Sequence, residues 1–364
     1  MPGQRPSSSS GIAAEGRLWP WDQLPATAIT WLLLAIPLVF LLLFFVYPLQ
    51  GIVRESFFRE GSSLSDITPL VTDSYFAKRA WFTLWQASAS TALTLVVALP
   101  LAYVFAKQDF PGKSLVVAIV TVPFVLPTIV VAVMFAALAG PQGTLNALLE
   151  RAFGLDSPPI ALMDTVWVIL AAHVFYNFGM AARIVASGWA SLDERMEDVA
   201  AVLGAGRIER FFRITLPLLR PAILAAASLV FLFCFTSFGV VLVLGGPRYN
   251  TIETEIYRET AFLFRLPLAA ALALLQLAFT FLVMGAYTHF QTETSTTSSP
   301  LNRARLRRRG ERWFTGVVVV VALLLVLVPV GALVERSLHG ADGYTLTFYR
   351  ALGQNSSGSA IFTT

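Results

Sequence analysis

Seven long apolar runs punctuate the chain, at 28–49, 81–106, 114–139, 163–186, 218–244, 267–289 and 313–334. Each is near or above the roughly 20 residues that a helix needs to cross a bilayer core. A backbone in lipid must satisfy its own hydrogen bonds, so the runs predict membrane-spanning helices. One polar stretch between them stands out: LDERMEDVAAVLGAGRIERFFRITLPLLRP, residues 192–221. Within it Met196, Val199, Ala200 and Leu203 recur at i, i+3, i+4 and i+7, the spacing of an amphipathic helix. Asp193, Glu194, Glu197 and Asp198 occupy the early turns, where carboxylates suit the positive end of the helix dipole. Gly204 supplies the left-handed residue that stops the helix. A second short amphipathic piece follows, with Ile208, Phe211 and Phe212 set against Arg207, Glu209, Arg210 and Arg213. It breaks at Leu216-Pro217, and Pro221 is placed to open the next apolar helix. A capped helical hairpin slung between two spans is a handle for a partner.

Composition agrees with the pattern. Hydrophobic residues make up 56% of the chain and charged residues 13%, about half the usual charged fraction of a soluble domain, and the mean hydropathy is +0.69. The expected class is an all-α polytopic membrane protein. The single cysteine, Cys234, lies inside the fifth run and has no intrachain partner for a disulfide. The net charge of +4 reads as membrane topology, with no nucleic-acid partner.

Lysine and arginine concentrate on one side if the N-terminus is cytoplasmic. That side then holds Lys107 and Lys113, the arginines of the 192–221 hairpin, and the run from Arg303 to Arg312. The organisation expected is a tail at 1–27, polar and unstructured; a first span and outside loop at 28–80; a core at 81–290; a basic linker at 291–312; and a further segment at 313–364. A cleaved signal peptide is not expected, because the first apolar run is too long and no small-residue cleavage site ends it. Gly112-Lys113-Ser114 mimics the end of a phosphate-binding loop, but Lys107 stands where that motif requires glycine and no strand precedes it. The segment reads as a turn, and no nucleotide cofactor is expected in this chain.

The chain then repeats itself. FFVYPLQGIVRESF at 44–57 aligns with LVLVPVGALVERSL at 325–338, placing Pro48 over Pro329, Val53 over Val334 and Ser56 over Ser337. Trp81-Phe82-Thr83 is matched by Ile361-Phe362-Thr363. An even number of spans separates the copies, so they share one orientation, as in transporters built from tandem parallel halves. The expectation is a six-span first copy followed by the truncated start of a second, in a full protein of roughly 500 residues or more.

On these residues the 192–221 hairpin resembles the EAA loop of binding-protein-dependent ABC importer permeases. Asp198-Val199-Ala200 stands in the E-A-A place, Gly204 follows after three residues, and Ile214-Thr215-Leu216-Pro217 follows nine residues later. Asp for Glu and Val for the first Ala depart from the pattern and shorten the acidic contact by one methylene. The resemblance implies a type I ABC importer transmembrane fold. It also implies an ATPase-coupling loop made by Glu197, Asp198, Ala200, Ala201, Gly204, Ala205, Ile214, Leu216 and Pro217. The implied partners are a cytoplasmic ATP-binding subunit dimer, a periplasmic substrate-binding protein and membrane lipid. ATP would be bound by the partner, so this chain is not expected to be an enzyme, and the implied location is the bacterial inner membrane. AHVFYNFGMAARI at 172–184 and the 229–258 segment are similar to thiamine permeases, with ferric-iron permeases sharing much of the plan.

The polar residues inside the spans are the candidates for the pathway: His173, Asn177, Thr236, Ser237 and Gln276. Ionisable groups in a membrane lean towards function, although a lone histidine is more often a hydrogen-bonded packing residue. Thr236 and Ser237 bond to their own helix or a neighbour in the ordinary case. No carboxylate, histidine or cysteine cluster has metal-ligand spacing within the spans. The span interiors lack Asp, Glu and Lys, which weighs against an ion-coupled secondary transporter. A deep histidine without a carboxylate partner is a poor start for a membrane-embedded enzyme.

Overall fold

A computed structural model describes residues 26–58, 68–292, 304–305, 309–340 and 343–354. The tail at 1–25, most of the 291–312 linker and the Ile361-Phe362-Thr363 repeat lie outside these residues. Seven helices among the described residues are long and apolar enough to cross a membrane.

The first is built from α1 (Ala26–Leu41), a π turn over Leu42–Val46, and α2 (Tyr47–Phe57). A short α3 (Pro69–Thr72) leads into α4 (Ser74–Lys107), whose 34 residues make it about 50 Å long at 1.5 Å per residue. The tight turn after α4 contains Gly112 at φ +80° and opens α5 (Lys113–Val125). Lys113 Nζ donates to the Phe105 and Gln108 carbonyls, both at 2.7 Å, and so closes the C-terminal end of α4. The Gly-Lys-Ser segment is therefore a helix-linking turn, as its sequence context predicts.

The third predicted span is not one helix, and here the sequence reading is corrected. Leu126, which precedes Pro127, takes extended geometry (φ −70°, ψ 143°), as residues before proline tend to do. The chain resumes as α6 (Thr128–Ala139), followed by α7 (Thr144–Phe153). The fourth span is α8 (Val166–Ala190), followed by the hairpin helices α9 (Glu194–Val202) and α10 (Arg207–Arg210). The fifth predicted span also breaks, into α11 (Leu216–Phe235) and α12 (Gly239–Leu244). Thr236 Oγ1 donates back to the Leu232 carbonyl at 2.9 Å at the end of α11, a local bond that competes with helix continuation. Then come α13 (Ile252–Ala261), α14 (Leu266–Thr292), α15 (Arg309–Leu338) and α16 (Thr347–Gln354).

Helix α8 is the hub. Its spanning window is 72% buried, against none of the first span's. Ala172, Ala181, Ala182 and Ala186 are buried along it, and small residues let neighbouring helices approach closely without a hydrophobic driving force. At Gly179 the approach is limiting: a Cβ there would overlap the Val120 carbonyl of α5. One apolar cluster joins α4, α5, α8 and α11 through Leu101, Val120, Phe178, Val185, Leu219 and Phe235. A second joins α6, α8 and α12 through Val131, Ile169, Phe175 and Val241.

The two copies of the repeat pack differently. Helix α2 lies against α14, whereas its counterpart α15 crosses α5 and α6, and Thr144 Oγ1 donates to Glu335 Oε2 at 3.0 Å.

At the end remote from the 192–221 hairpin, α13 is clamped by acids. Glu255 is fully buried and accepts from Tyr75 Oη at 2.6 Å, with Arg258 at 3.4 Å and Arg79 at 3.7 Å. Glu259, also fully buried, takes a two-point bond from Arg265 at 2.7 Å. Glu255→Ala should remove the carboxylate shared by Tyr75, Arg79 and Arg258 and destabilise the α4–α13 junction by about 3 kcal/mol. Limited proteolysis should then cut near α13 well before the rest of the chain.

Candidate functional site

The two helix breaks meet. Gly239, which opens α12, sits so close to the start of α6 that a Cβ would come within 2.6 Å of Thr128 Oγ1 and 2.9 Å of the Ile129 side chain. Any larger residue would push the Thr128 and Ile129 side chains aside. Irregular backbone at membrane depth is tolerated where protein buries it or where it lines a cavity. A cavity of about 130 Å³ does open here, lined by Thr128, His173, Tyr176, Asn177, Phe233, Thr236, Ser237, Phe238 and Val240.

Four of the five predicted pathway residues, His173, Asn177, Thr236 and Ser237, line this one cavity. His173 is 2% exposed and both ring nitrogens are engaged: Nδ1 with Ser90 Oγ and Nε2 with Ser237 Oγ, each at 2.9 Å. It therefore ties α4 to α8 and to the α11–α12 break. Asn177, one turn further on, donates from Nδ2 to the His173 carbonyl at 3.0 Å and to Cys234 Sγ at 3.5 Å. Those two bonds fix the amide's orientation, and its Oδ1 is left buried without a hydrogen-bond partner. A buried acceptor in that state costs about 1–3 kcal/mol.

Gln276 is elsewhere. Its amide donates to Glu253 Oε1 at 3.2 Å and to the Phe235 carbonyl at 3.5 Å, beneath α13. Burial holds the Glu253 carboxyl above the usual carboxylate range, with the Gln276 amide partly opposing it.

Sequence reasoning missed Ser90, which looks like any small residue on α4 until packing places it on His173. It also missed the aromatic wall. Phe124 lies 5.6 Å from Tyr176 and 5.1 Å from Phe233, ring centre to ring centre, in tilted and edge-on pairs.

The 192–221 hairpin forms the second site. Asp193 Oδ1 caps α9 by accepting from the Arg195 amide at 3.0 Å. Gly204 lies at φ +89°, and the Ala205 amide reaches back to the Ala200 carbonyl at 3.0 Å, closing the helix as predicted. Helix α10 runs through a π turn over Phe211–Thr215 directly into α11. This turn and the one at Leu42–Val46 each end two residues before a proline, Pro217 and Pro48. A proline ring crowds the carbonyl four residues back, and a wider turn relieves that clash. The second hairpin helix and the span are thus one continuous rod, so the chain does not break at Leu216-Pro217 as its sequence suggests, and Pro221 lies inside α11 instead of opening it.

The hairpin's faces are disposed in an informative way. Glu197 faces the span, where its Oε1 accepts from Thr215 Oγ1 at 2.7 Å, while Arg210 Nη1 donates to the Glu197 carbonyl at 3.4 Å. The apolar stripe points away from the molecule, with Val199 60%, Leu203 81% and Ile208 76% exposed. Asp198 and Ala201 are exposed on α9, and Ala200 and Ala205 are half-buried. Ile214 lies within the π turn, and Leu216 and Pro217 begin α11. Thr215→Val should loosen the hairpin from α11 by about 1.5–3 kcal/mol, the range for a hydrogen bond to a charged group. A lower melting temperature in detergent and faster amide exchange in α9 would report it.

These features, helices broken beside a small polar cavity and a capped hairpin fused to a span, define a transporter membrane subunit. The family of binding-protein-dependent transport system inner membrane components matches residues 98–296, and the chain belongs to it. It is a multi-pass inner-membrane permease of the ABC importer class. The chain is 32% identical to the thiamine transport system permease protein of Brucella abortus (strain 2308) over 271 residues, 73% of this chain and 49% of that protein. It is 33% identical to the protein of the same description from Escherichia coli (strain K12), over 73% of this chain and 50% of that one. It therefore spans about half the length of these curated relatives. A bacterial alginate ABC transporter, solved with an alginate pentasaccharide-bound periplasmic protein, superposes with a TM-score of 0.62 at 19% identity, covering 77% of this chain and 99% of that one. The type I importer fold is thereby shared.

Proposed function

We propose that this chain forms part of the translocation pathway of an ATP-driven importer for thiamine. In this reading the vitamin is delivered by a periplasmic binding protein, and transport is coupled to a cytoplasmic ATPase dimer. The observation that carries the reading is the 32–33% identity, over nearly three quarters of the chain, to permeases described as thiamine transporters. The site's chemistry supports it. None of the residues lining the cavity is Asp, Glu, Lys or Arg, and the walls are neutral hydroxyls and amides with aromatic rings. Aromatic faces attract an organic cation at little desolvation cost to the protein, and thiamine is a cation built from two flat rings.

The hairpin is the coupling element. An outward apolar stripe on a capped helix, fused through a π turn to α11, can seat in a cleft of the ATPase and turn its movement into rotation of the spans. In this reading the hairpin, the Lys107–Lys113 turn and the N-terminus face the cytoplasm, which the distribution of basic residues supports. The test is uptake by the full-length permease, reconstituted in liposomes with its ATPase and binding protein. ATP-dependent accumulation of labelled thiamine is expected. Accumulation of ferric iron and no thiamine would retire the vitamin while leaving the importer class in place.

A further inference from the structure

Helix α13 carries three acids, and two of them are neutralised. Glu255 is held by Arg79 and Arg258, and Glu259 by the two-point bond from Arg265. Glu253 differs: no basic side chain among the described residues pairs with it, and its Oε1 accepts from the neutral amide of Gln276 at 3.2 Å. The residue is half-buried, and neither of its oxygens is sealed and unpartnered as Asn177 Oδ1 is. A carboxylate drawn partly out of water without a cation is costly, and such groups are ordinarily paired. The same Gln276 amide reaches the Phe235 carbonyl at 3.5 Å, so the carboxylate stands at the α11–α12 break. One turn on from Glu253, on the same face of α13, is Tyr257. Its exposed ring meets Phe238, which lines the cavity, edge-on at 5.2 Å, and meets exposed Phe262 edge-on at 5.5 Å. Three rings thus run in a row from the cavity to the far end of α13.

We infer that Glu253 is the counter-ion for a cationic substrate, in a site it forms with the rings of Tyr257 and Phe238 at the edge of the cavity. The inference rests on the thiamine reading above and makes it specific: the positive charge of the thiazolium is met here, before the molecule passes the break. The cavity itself has no charged residue in its lining, so the charge must be met beside it. A carboxylate and an aromatic face act together on an organic cation, the first by direct attraction and the second through the ring quadrupole. Phe262 extends the row of rings toward the side on which, in the proposed topology, the binding protein releases its cargo. Gln276 is a positioning residue, since its amide holds the carboxylate at the break and, being neutral, leaves the charge uncancelled.

The experiment uses the full-length permease with its ATPase and binding protein in liposomes. It compares labelled thiamine with deazathiamine, a neutral isostere in which carbon replaces the charged ring nitrogen. The binding protein's own preference cancels when wild type and variant are compared as ratios. Glu253→Gln keeps the length of the side chain and an acceptor for Gln276 but removes the charge, whereas Glu253→Asp keeps the charge and shortens the reach. Thiamine uptake should fall at least tenfold in Glu253→Gln and clearly less in Glu253→Asp, because only the first leaves the cation without a partner. Deazathiamine uptake and the melting temperature should stay near wild type in both. Undiminished thiamine uptake by Glu253→Gln would overturn the inference. Equal losses for the two substrates, or a loss that tracks a lowered melting temperature, would also overturn it by giving Glu253 a merely structural role at the start of α13. If Glu253→Gln does not assemble, Tyr257→Leu decides: undiminished thiamine uptake overturns the inference, and a severalfold loss that Tyr257→Phe does not share supports it. Absence of thiamine uptake in wild type would remove the functional reading before any variant is compared, and this inference with it.

Discussion

Replacing Gly179 with valine is expected to abolish accumulation of folded permease. The side chain at this position would have to occupy the space of the Val120 carbonyl, which belongs to the backbone of α5. A flexible neighbour could swing aside, but a carbonyl held in a helix ladder cannot. Nor can α5 retreat easily, because Lys113 ties its start to the end of α4 and Pro127 fixes the turn at its other end. Helix α8 is hemmed in by α4 and α11 in turn. Overpacking against movable side chains costs about 1–3 kcal/mol, and a backbone clash belongs at or beyond the top of that range. Set against the roughly 5–15 kcal/mol that separates folded from unfolded in typical proteins, this is a large fraction. Yield of monodisperse protein after detergent extraction should fall at least tenfold. Gly179→Ala should fall in the same direction by less. Gly285→Ala on α14, where an added Cβ meets nothing within 4 Å, should match wild type. A normal yield of the valine variant would mean that α5 and α8 do not approach as described.

The second large effect is expected at Gly204, with a different signature. Its φ of +89° disfavours any side chain by about 1–2 kcal/mol, yet a Cβ there would meet open space. The fold should therefore survive substitution. Gly204→Arg, however, adds a long cation beside the exposed stripe of Val199, Val202 and Leu203. Insertion and extraction yield should remain near wild type, while thiamine uptake falls at least tenfold and ATP hydrolysis continues without it. Gly204→Ala carries the backbone strain without the bulk and should retain most uptake. Wild-type transport by the arginine variant would show that this end of α9 does not seat against the ATPase.

Much of this was legible in the sequence because it is local. The amphipathic hairpin helix and the Gly204 stop are set within a few residues of chain, and the structure places them as the pattern predicts. The Leu216-Pro217 break does not form, because a π turn carries the helix past the proline, and Pro221 lies inside α11 instead of opening it. The interruptions at Leu126-Pro127 and Thr236-Ser237 were harder to read, because apolar character continues across both. Pro127 was visible, but proline is tolerated in membrane helices and need not end one. Thr236 and Ser237 read as polar residues within a span, and nothing local marks them as the place where that span stops.

The sequence by itself determined the class, the apolar runs, the hairpin and its family. Tertiary structure alone decided what those parts do together. Ser90 meets His173, Gly239 meets Thr128, and two independent breaks fall at one level to enclose a cavity. Each meeting joins residues remote in the chain, and helical periodicity carries no information about which faces of different helices will touch. The same limit explains α9: its spacing gave an apolar stripe but not the direction in which it points. Bonds from Thr215 to the Glu197 carboxylate and from Arg210 to the Glu197 carbonyl hold that residue against the span, and Val199 and Leu203 are left exposed. Close packing of small residues in lipid selects such contacts by shape, and shape is a property of the assembled helices.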